Sequence, residues 1–494
     1  MFDFISVAAE LLTSADSIIV LVAGSLVGIV LGALPGIGST VAVAVVLPFT
    51  FEMGPNLAII LLVGVYAGSV YGGSISAILI NTPGTVQSAA TCLDGYPMVK
   101  RGKAGEALGW ATVSSVIGGF VSAAALIVIA PQLASLALYF GPIETLSLLF
   151  LGMVCIVAVS GKSIWRGLLA GVLGMFLATV GGDPYTGEAR LTFGFWQLMS
   201  GIDLIAMIIG LFALSEVLIQ VTDRSSSEGK TLKYTGMVLP KLRDWSGRKL
   251  GLIKSTFIGL LIGILPGTGA ATAAFVSYAE ASRSSPRKEN FGKGEPDGII
   301  ASESANNAVT GGALIPTMAL GIPGDSVTAV MLGSFILHGI TPGMNLMRDH
   351  GDTVTSIFIG FLLINLLLLP LGMLVARFSA PLFRLNKAYI MSGVIILCML
   401  GTYLVRGNVF DLMVMTIAGG LGYVLRKQDI PMAPIVIGMV LGPNIEMSLR
   451  QGLIITNGNV YKLLFDYPIA LTLNIIVVFA LIIPIFRRWK LSRI

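Results

Sequence analysis

Apolar residues run in long unbroken blocks along this chain, and almost none of the blocks carries a polar face. The stretch "FIGFLLINLLLLPLGMLVA" at 358–376 has no polar stripe at a helical period, so it does not read as the amphipathic surface helix of a water-soluble domain. A bilayer core takes about 20 helical residues, and further blocks of suitable length lie near 107–131, 143–160, 164–181, 197–221, 353–377, 389–402, 408–425 and 465–486. The block at 431–443 is short for a full span. The pattern predicts an all-α polytopic membrane protein.

Two blocks are interrupted by the same helix-breaking string: "LGALPGIGST" at 31–40 and "IGILPGTGAA" at 262–271. Proline removes a backbone donor and glycine weakens a helix interior, so plain spans would carry neither. A second kind of break follows in each half, in "YGGSISAILINTPGTVQSAAT" (71–91) and "TGGALIPTMALGIPGDSVTAV" (310–330). Leu34-Pro35-Gly36 corresponds to Leu265-Pro266-Gly267, Gly72-Gly73 to Gly311-Gly312, and Pro83-Gly84 to Pro323-Gly324. Three landmarks in the same order at nearly constant offset define an internal repeat. Residues 1–223 form the first transmembrane unit, 224–254 a basic cytoplasmic linker, and 255–494 the second unit.

Charge sets the orientation. The first basic residue is Lys100, and clusters follow at 100–103, 162–166, 224–254, 283–293, 384–387, 426–427 and 487–493. Basic loops stay in the cytoplasm, which places the N-terminus outside and the C-terminal tail inside, with Arg348 and Arg406 as minor violations. The flanks of the first Leu-Pro-Gly break lack basic residues, whereas those of the second are rich in them. Each break then enters and leaves on one side, and the two enter from opposite faces: two inverted-topology repeats with re-entrant, broken helices.

Composition narrows the chemistry. The chain has 494 residues, 55% hydrophobic and 12% charged, with a net charge of +5 that cytoplasmic loops account for without nucleic-acid binding. Two histidines and three scattered cysteines make no metal-ligand set, and no nucleophile–base pairing of an intramembrane enzyme is visible. The N-terminus lacks the basic region of a signal peptide, and any solute-binding or energising domain is expected on separate chains. No cofactor is expected.

Broken helices at membrane depth are tolerated where they line a polar cavity. Their N-terminal N–H groups can hold an anion and their C-terminal carbonyls a cation such as Na⁺. Small hydroxyl residues that can donate to an anion follow every Pro-Gly. The candidate binding residues are Pro35, Gly36, Gly38, Ser39 and Thr40 at the first break, and Asn81, Thr82, Gly84, Thr85 and Ser88 at the second. Pro266, Gly267, Thr268 and Gly269 belong to the third, and Gly324, Asp325 and Ser326 to the fourth. Asn306 and Asn307, near Glu303, offer either carboxamides to a ligand or bonds between helices. Asp325 is either an ion ligand or a helix cap. Because no Lys or Arg occurs before Lys100 or within 255–282 and 298–345, such a site would rely on dipoles, hydroxyls and amides, with Na⁺ where one binds, rather than a buried arginine.

The strings "LPGIGSTVAVAVVLPFTF", "YGGSISAILINTPGTVQSAATCLDGYPMVKRGKAGEALG", "GDPYTGEARLTFG", "ESANNAVTGGALIPTMALGIPGDSVTAVMLGSFILHGITPG" and "LGPNIEMSLRQG" resemble the large membrane subunit of tripartite tricarboxylate transporters, the TctA family, over essentially the whole chain. The resemblance implies a multi-pass protein of the bacterial inner membrane that imports an organic carboxylate. Its partners would be a small integral-membrane subunit and a periplasmic solute-binding protein, and its energy a Na⁺ or H⁺ gradient. Asp325 stands where relatives are expected to carry a small residue. An anion channel, with the breaks as its selectivity filter, is the alternative reading.

Overall fold

The computed structural model describes residues 4–159, 163–222, 236–267, 269–343, 345–379 and 387–491. Thr268 and residues 223–235 of the linker fall outside the described residues. Helices make up nearly all of it; a two-residue antiparallel hairpin pairs Gly181–Gly182 with Ala189–Arg190. By length and composition, seven described helices could cross a membrane: Ala15–Ala33, Pro55–Ile80, Ala104–Ala137, Leu204–Thr222, Gly351–Arg377, Ala388–Arg406 and Val409–Lys427.

The order of elements repeats. In the first half Ala15–Ala33, a break, Gly38–Val46, Pro55–Ile80, a second break and Ala89–Lys100 lead into Ala104–Ala137. In the second, Lys249–Ile264, a break, Gly269–Ser284, Pro296–Leu320, a break and Ser326–Leu337 lead into Gly351–Arg377. Pro55–Ile80 and Pro296–Leu320 start with proline at the first helical position, where its missing N–H costs nothing. Both are buried on all sides along most of their length, so neither shows the polar face of a surface helix.

Small residues let these central helices touch their neighbours backbone to backbone. A Cβ on Gly28 would lie 2.5 Å from Val65 O, and one on Gly32 2.2 Å from Ser69 O. The facing helix answers with Gly68 against Ser25 O and Gly72, at 2.2 Å, against Ile29 O. In the second half Gly259 takes the same role against Ala305 O, also at 2.2 Å.

One boundary differs from the sequence expectation. The short block at 431–443 is the start of a 23-residue helix, Ala433–Ile455. It continues through Pro443 into Asn444, Glu446 and Arg450, polar residues that end the hydrophobic signal without ending the helix. A π-helical turn, Ile209–Leu214, interrupts Leu204–Thr222, and such turns often accompany binding sites.

Candidate functional site

The two Leu-Pro-Gly segments have the same backbone course. Leu34 and Leu265 end their helices at φ −79°, ψ 116° and φ −78°, ψ 113°, each donating to the carbonyl three residues back. Gly36 and Gly267 then take φ +91° and +84°, and Gly38 and Gly269 both +68°, a region where a side chain is strained. That is the physical reason for glycine at both positions. The other two breaks match as well. Asn81 (φ +54°) and Gly321 (φ +70°) close their helices in the left-handed region, as helix caps commonly do. Beyond each Pro-Gly, the Thr85 N–H donates to Ser88 Oγ (3.3 Å) and the Asp325 N–H to Thr328 Oγ1 (3.0 Å).

All four breaks meet at one cavity of about 640 Å³. Its wall includes Gly36, Gly38, Ser39 and Thr40 from the first break, and Gly84 and Thr85 from the second. Gly267 and Gly269 come from the third, and Asp325 and Ser326 from the fourth. The breaks are bonded to one another: Thr40 Oγ1 and Ser326 Oγ stand 2.9 Å apart, the Gly267 N–H donates to Gly324 O at 2.7 Å, and Gln87 Nε2 donates to Ser39 Oγ at 3.3 Å. Thr85 Oγ1 is buried with no hydrogen-bond partner.

Asp325 caps the Ser326–Leu337 helix, Oδ1 accepting from the Thr328 N–H (2.8 Å) while Oδ2 accepts from Tyr66 Oη (2.6 Å). The helix-cap role is the one observed, and the capping carboxylate also lines the cavity. Pro35, Asn81, Thr82, Ser88, Pro266 and Gly324 belong to the breaks but do not line the cavity. Asn306 and Asn307 are also absent from its wall; both are fully buried in the Pro296–Leu320 helix.

An expectation needs correction here. Arg426 lines the cavity, ion-paired to Glu216, which also takes a hydrogen bond from Gln220 Nε2 at 3.0 Å. The Gln220 carboxamide packs directly against Gly36. The sequence reading assigned Arg426 to a cytoplasmic loop; it closes the Val409–Lys427 helix, and the fold brings that helix end back to the breaks. Glu216 was equally inconspicuous, a lone acid near the end of an apolar run. Its i, i+4 spacing to Gln220 was the available signal.

A second cavity, also about 640 Å³, lies among the hairpin (Gly181, Gly182, Tyr185, Arg190), Ile336 and Met439–Met447. Beside it Arg450 bonds Asp183 (2.7 Å) and Glu446 (2.6 Å), and Arg190 bonds Glu446 (2.8 Å). Hydrogen bonds from Arg450 and from the Tyr185 N–H hold the Asp183 carboxyl at about 2, well below its usual range. The two cavities share helices: Ser326–Leu337 gives Val327 to the first and Ile336 to the second, about 14 Å apart by helical rise. On the same helix, between these two positions, Gly333 packs against Ile208, Leu47 and Leu204.

The tripartite tricarboxylate transporter TctA family description matches residues 18–437. The chain belongs to that family. It is 38% identical to an uncharacterised 52.8 kDa protein from the TAR-I ttuC' 3' region of Agrobacterium vitis, over 91% of this chain and 89% of that one. It is 36% identical to an uncharacterised protein from the TAR-II ttuC' 3' region of the same organism, over 46% of this chain and 96% of that one. No solved structure matches it. As a TctA-family member it is a multi-pass membrane subunit of a tricarboxylate transporter, a transporter component rather than an enzyme, and it works with partner subunits.

Proposed function

We propose that the chain is the large translocating subunit of a binding-protein-dependent secondary transporter that imports an organic di- or tricarboxylate, driven by a Na⁺ or H⁺ gradient. Its partners are a small integral-membrane subunit and a periplasmic solute-binding protein, in the bacterial inner membrane. The N-terminus is periplasmic and the C-terminus cytoplasmic. The observation that carries this reading is the convergence of four Pro-Gly breaks on one cavity. Helix starts at Gly38, Gly269 and Ser326 bring first-turn N–H groups to its wall, and Ser39, Thr40, Thr85 and Ser326 add hydroxyls. Arg426 supplies a positive charge at the same wall.

The matched backbone angles of the paired breaks support two repeats, and the opposite charge of their flanks supports opposite orientation. The first cavity, reached by the 426–433 turn, then opens to the cytoplasm, and the second, beside the 181–190 hairpin, to the periplasm. Two separate cavities along one helix, with Gly333 packed against Ile208, Leu47 and Leu204 at the intervening turn, suit alternating access better than an open pore.

The test uses the three-subunit complex in proteoliposomes with radiolabelled citrate. Uptake should saturate and require both the binding protein and an ion gradient. Pro35→Ala, Gly36→Ala, Pro266→Ala and Gly267→Ala should each cut uptake by about tenfold or more, through strain of 1–2 kcal/mol at the glycines and loss of the fixed turn at the prolines, with membrane insertion intact. Normal uptake by all four variants, or citrate conductance without saturation, overturns the proposal.

A further inference from the structure

Glu303 is fully buried at the eighth position of the Pro296–Leu320 helix, away from either helix end. Its Oε1 accepts from Thr91 Oγ1 and its Oε2 accepts from Ser115 Oγ at 2.9 Å, while the nearby Ser74 hydroxyl donates to Tyr71 O at 2.6 Å. Thr91 and Ser115 come from two other helices, and neither carries charge. Arg248 and Arg287, near the start of the same helix, are committed to Glu295 and Asp297, and Asp297 is about 9 Å away along the axis. A carboxylate out of water without a positive partner is unfavourable, however many neutral hydroxyls surround it. Asp325 is not in the same position, because the N-terminal N–H groups of the helix it caps offset its charge.

A second observation complements the first. Asn307 Nδ2 donates to Glu303 O at 3.1 Å, one turn along, and Asn306 Nδ2 reaches Val70 O at 3.5 Å, one turn before Ser74. The Oδ1 atoms of both asparagines are buried without a donor. Carboxamide oxygens lacking donors beside a carboxylate lacking a cation leave an excess of acceptors, which a positive charge would satisfy. Among the described residues, the ionisable groups on the surrounding helices that have identified partners do not supply it. Asp94 accepts from Tyr278 Oη and from the Gly294 and Glu295 N–H groups, and Tyr71 Oη pairs with Thr112. Cys92 is a thiol beside Thr91, Tyr66 bonds Asp325, and Lys254 is paired with Glu280.

We propose that Glu303 binds the coupling ion, a single positive charge delivered as H⁺ or as Na⁺. Ser74, Thr91, Ser115 and the Asn307 carboxamide are the neighbouring oxygen ligands. The site adjoins the cavity through one residue. Gly73, next to Ser74, accepts the Gly84 N–H at 3.3 Å, and a Cβ there would lie 2.4 Å from Thr85 Oγ1. Any shift of Ser74 on ion binding is therefore felt at the Pro83-Gly84-Thr85 wall. This assignment rests on the transport reading above and names its ion site.

The experiment compares wild type and Glu303→Gln, each in the full complex, in two assays with citrate: exchange of labelled for unlabelled citrate without a gradient, and accumulation under an imposed pH or Na⁺ gradient. With one ion moved per solute and the membrane potential held at zero, the citrate gradient should approach the size of the imposed ion gradient. Wild type should accumulate to about that level with one of the two ions, and the responding arm names the ion. Glu303→Gln, already neutral, should lose the accumulation while keeping exchange within about tenfold of wild type, and Glu303→Asp should restore gradient dependence at a higher ion concentration. Accumulation by Glu303→Gln equal to wild type overturns the assignment. So does loss of exchange in Glu303→Gln that still elutes and melts like wild type, because the side chain would then serve transport itself. Absence of exchange in wild type counts instead against the transport reading.

Discussion

Gly72 offers a sharp test of how the backbone contacts hold the cavity. A Cβ at this position would lie 2.2 Å from Ile29 O and 2.9 Å from Ile29 Cα, main-chain atoms that cannot rotate away. Ordinary contact begins near 3.4 Å, so Gly72→Ala must part Ala15–Ala33 from Pro55–Ile80 by about 1.2 Å at this level, since close-packed interiors have no slack to absorb it. Overpacking of this kind costs about 1–3 kcal/mol, which lowers the melting temperature without preventing insertion. Transport should suffer more than stability. Gly73 moves with its neighbour, and its carbonyl holds the Gly84 N–H, so the cavity wall at Gly84 and Thr85 shifts too. A misplacement of about 1 Å can cost a hundredfold in a positioned reaction, and a fall in initial citrate uptake of tenfold or more is expected. Gly251→Ala is the control: a Cβ there meets nothing within 4 Å, and alanine should leave uptake intact while stabilising its helix by up to about 1 kcal/mol. Equal uptake and equal melting temperatures for the two variants would refute the argument.

Two further outcomes follow from particular contacts. Thr40 and Ser326, bonded at 2.9 Å across the two halves, should couple by about 0.5–1.5 kcal/mol in a double-mutant cycle of Thr40→Val and Ser326→Ala read from unfolding in mixed micelles; additivity within about 0.3 kcal/mol would remove that contact from the account. Asp183 is held at about 2, first by its hydrogen bond from Arg450 and then by the Tyr185 N–H. Its folded-state value lies below the unfolded one, so its contribution to stability is present above the usual carboxylate range and lost as pH falls toward 2. Arg450→Gln should therefore flatten the decline in melting temperature between pH 4 and pH 2, and an unchanged slope would show that the ion pair does not set it.

Much of the site could be read before the fold was known, because helix breaking is a local property. Leu34-Pro35-Gly36-Ile37-Gly38 and its counterpart need two glycines at positive φ, and that demand is written in the residues themselves. The same holds for the Asn81 and Gly321 caps. What the string could not disclose was distance in three dimensions. Arg426 looks like one more basic loop residue until the fold returns its helix to Gly36 and Glu216. Asn306 and Asn307 are polar in an apolar run, and their helix is enclosed on every side: Asn306 reaches Val70 O and Asn307 bonds Glu303 O of its own helix, both away from the cavity wall. The Ala433–Ile455 helix was underestimated because hydrophobicity stops at Pro443 while the main-chain hydrogen bonding does not.

Two rods whose main chains touch at Gly24, Gly28, Gly32, Gly68 and Gly72 cannot slide along each other, because each of these glycines is a notch filled by its partner's carbonyl. Ala15–Ala33 and Pro55–Ile80 thus behave mechanically as a single beam. Gly84 is pinned to the end of that beam, its N–H on Gly73 O and its Cα against the Gly32 carbonyl, so the wall of the cavity at Gly84 and Thr85 is carried by the beam itself.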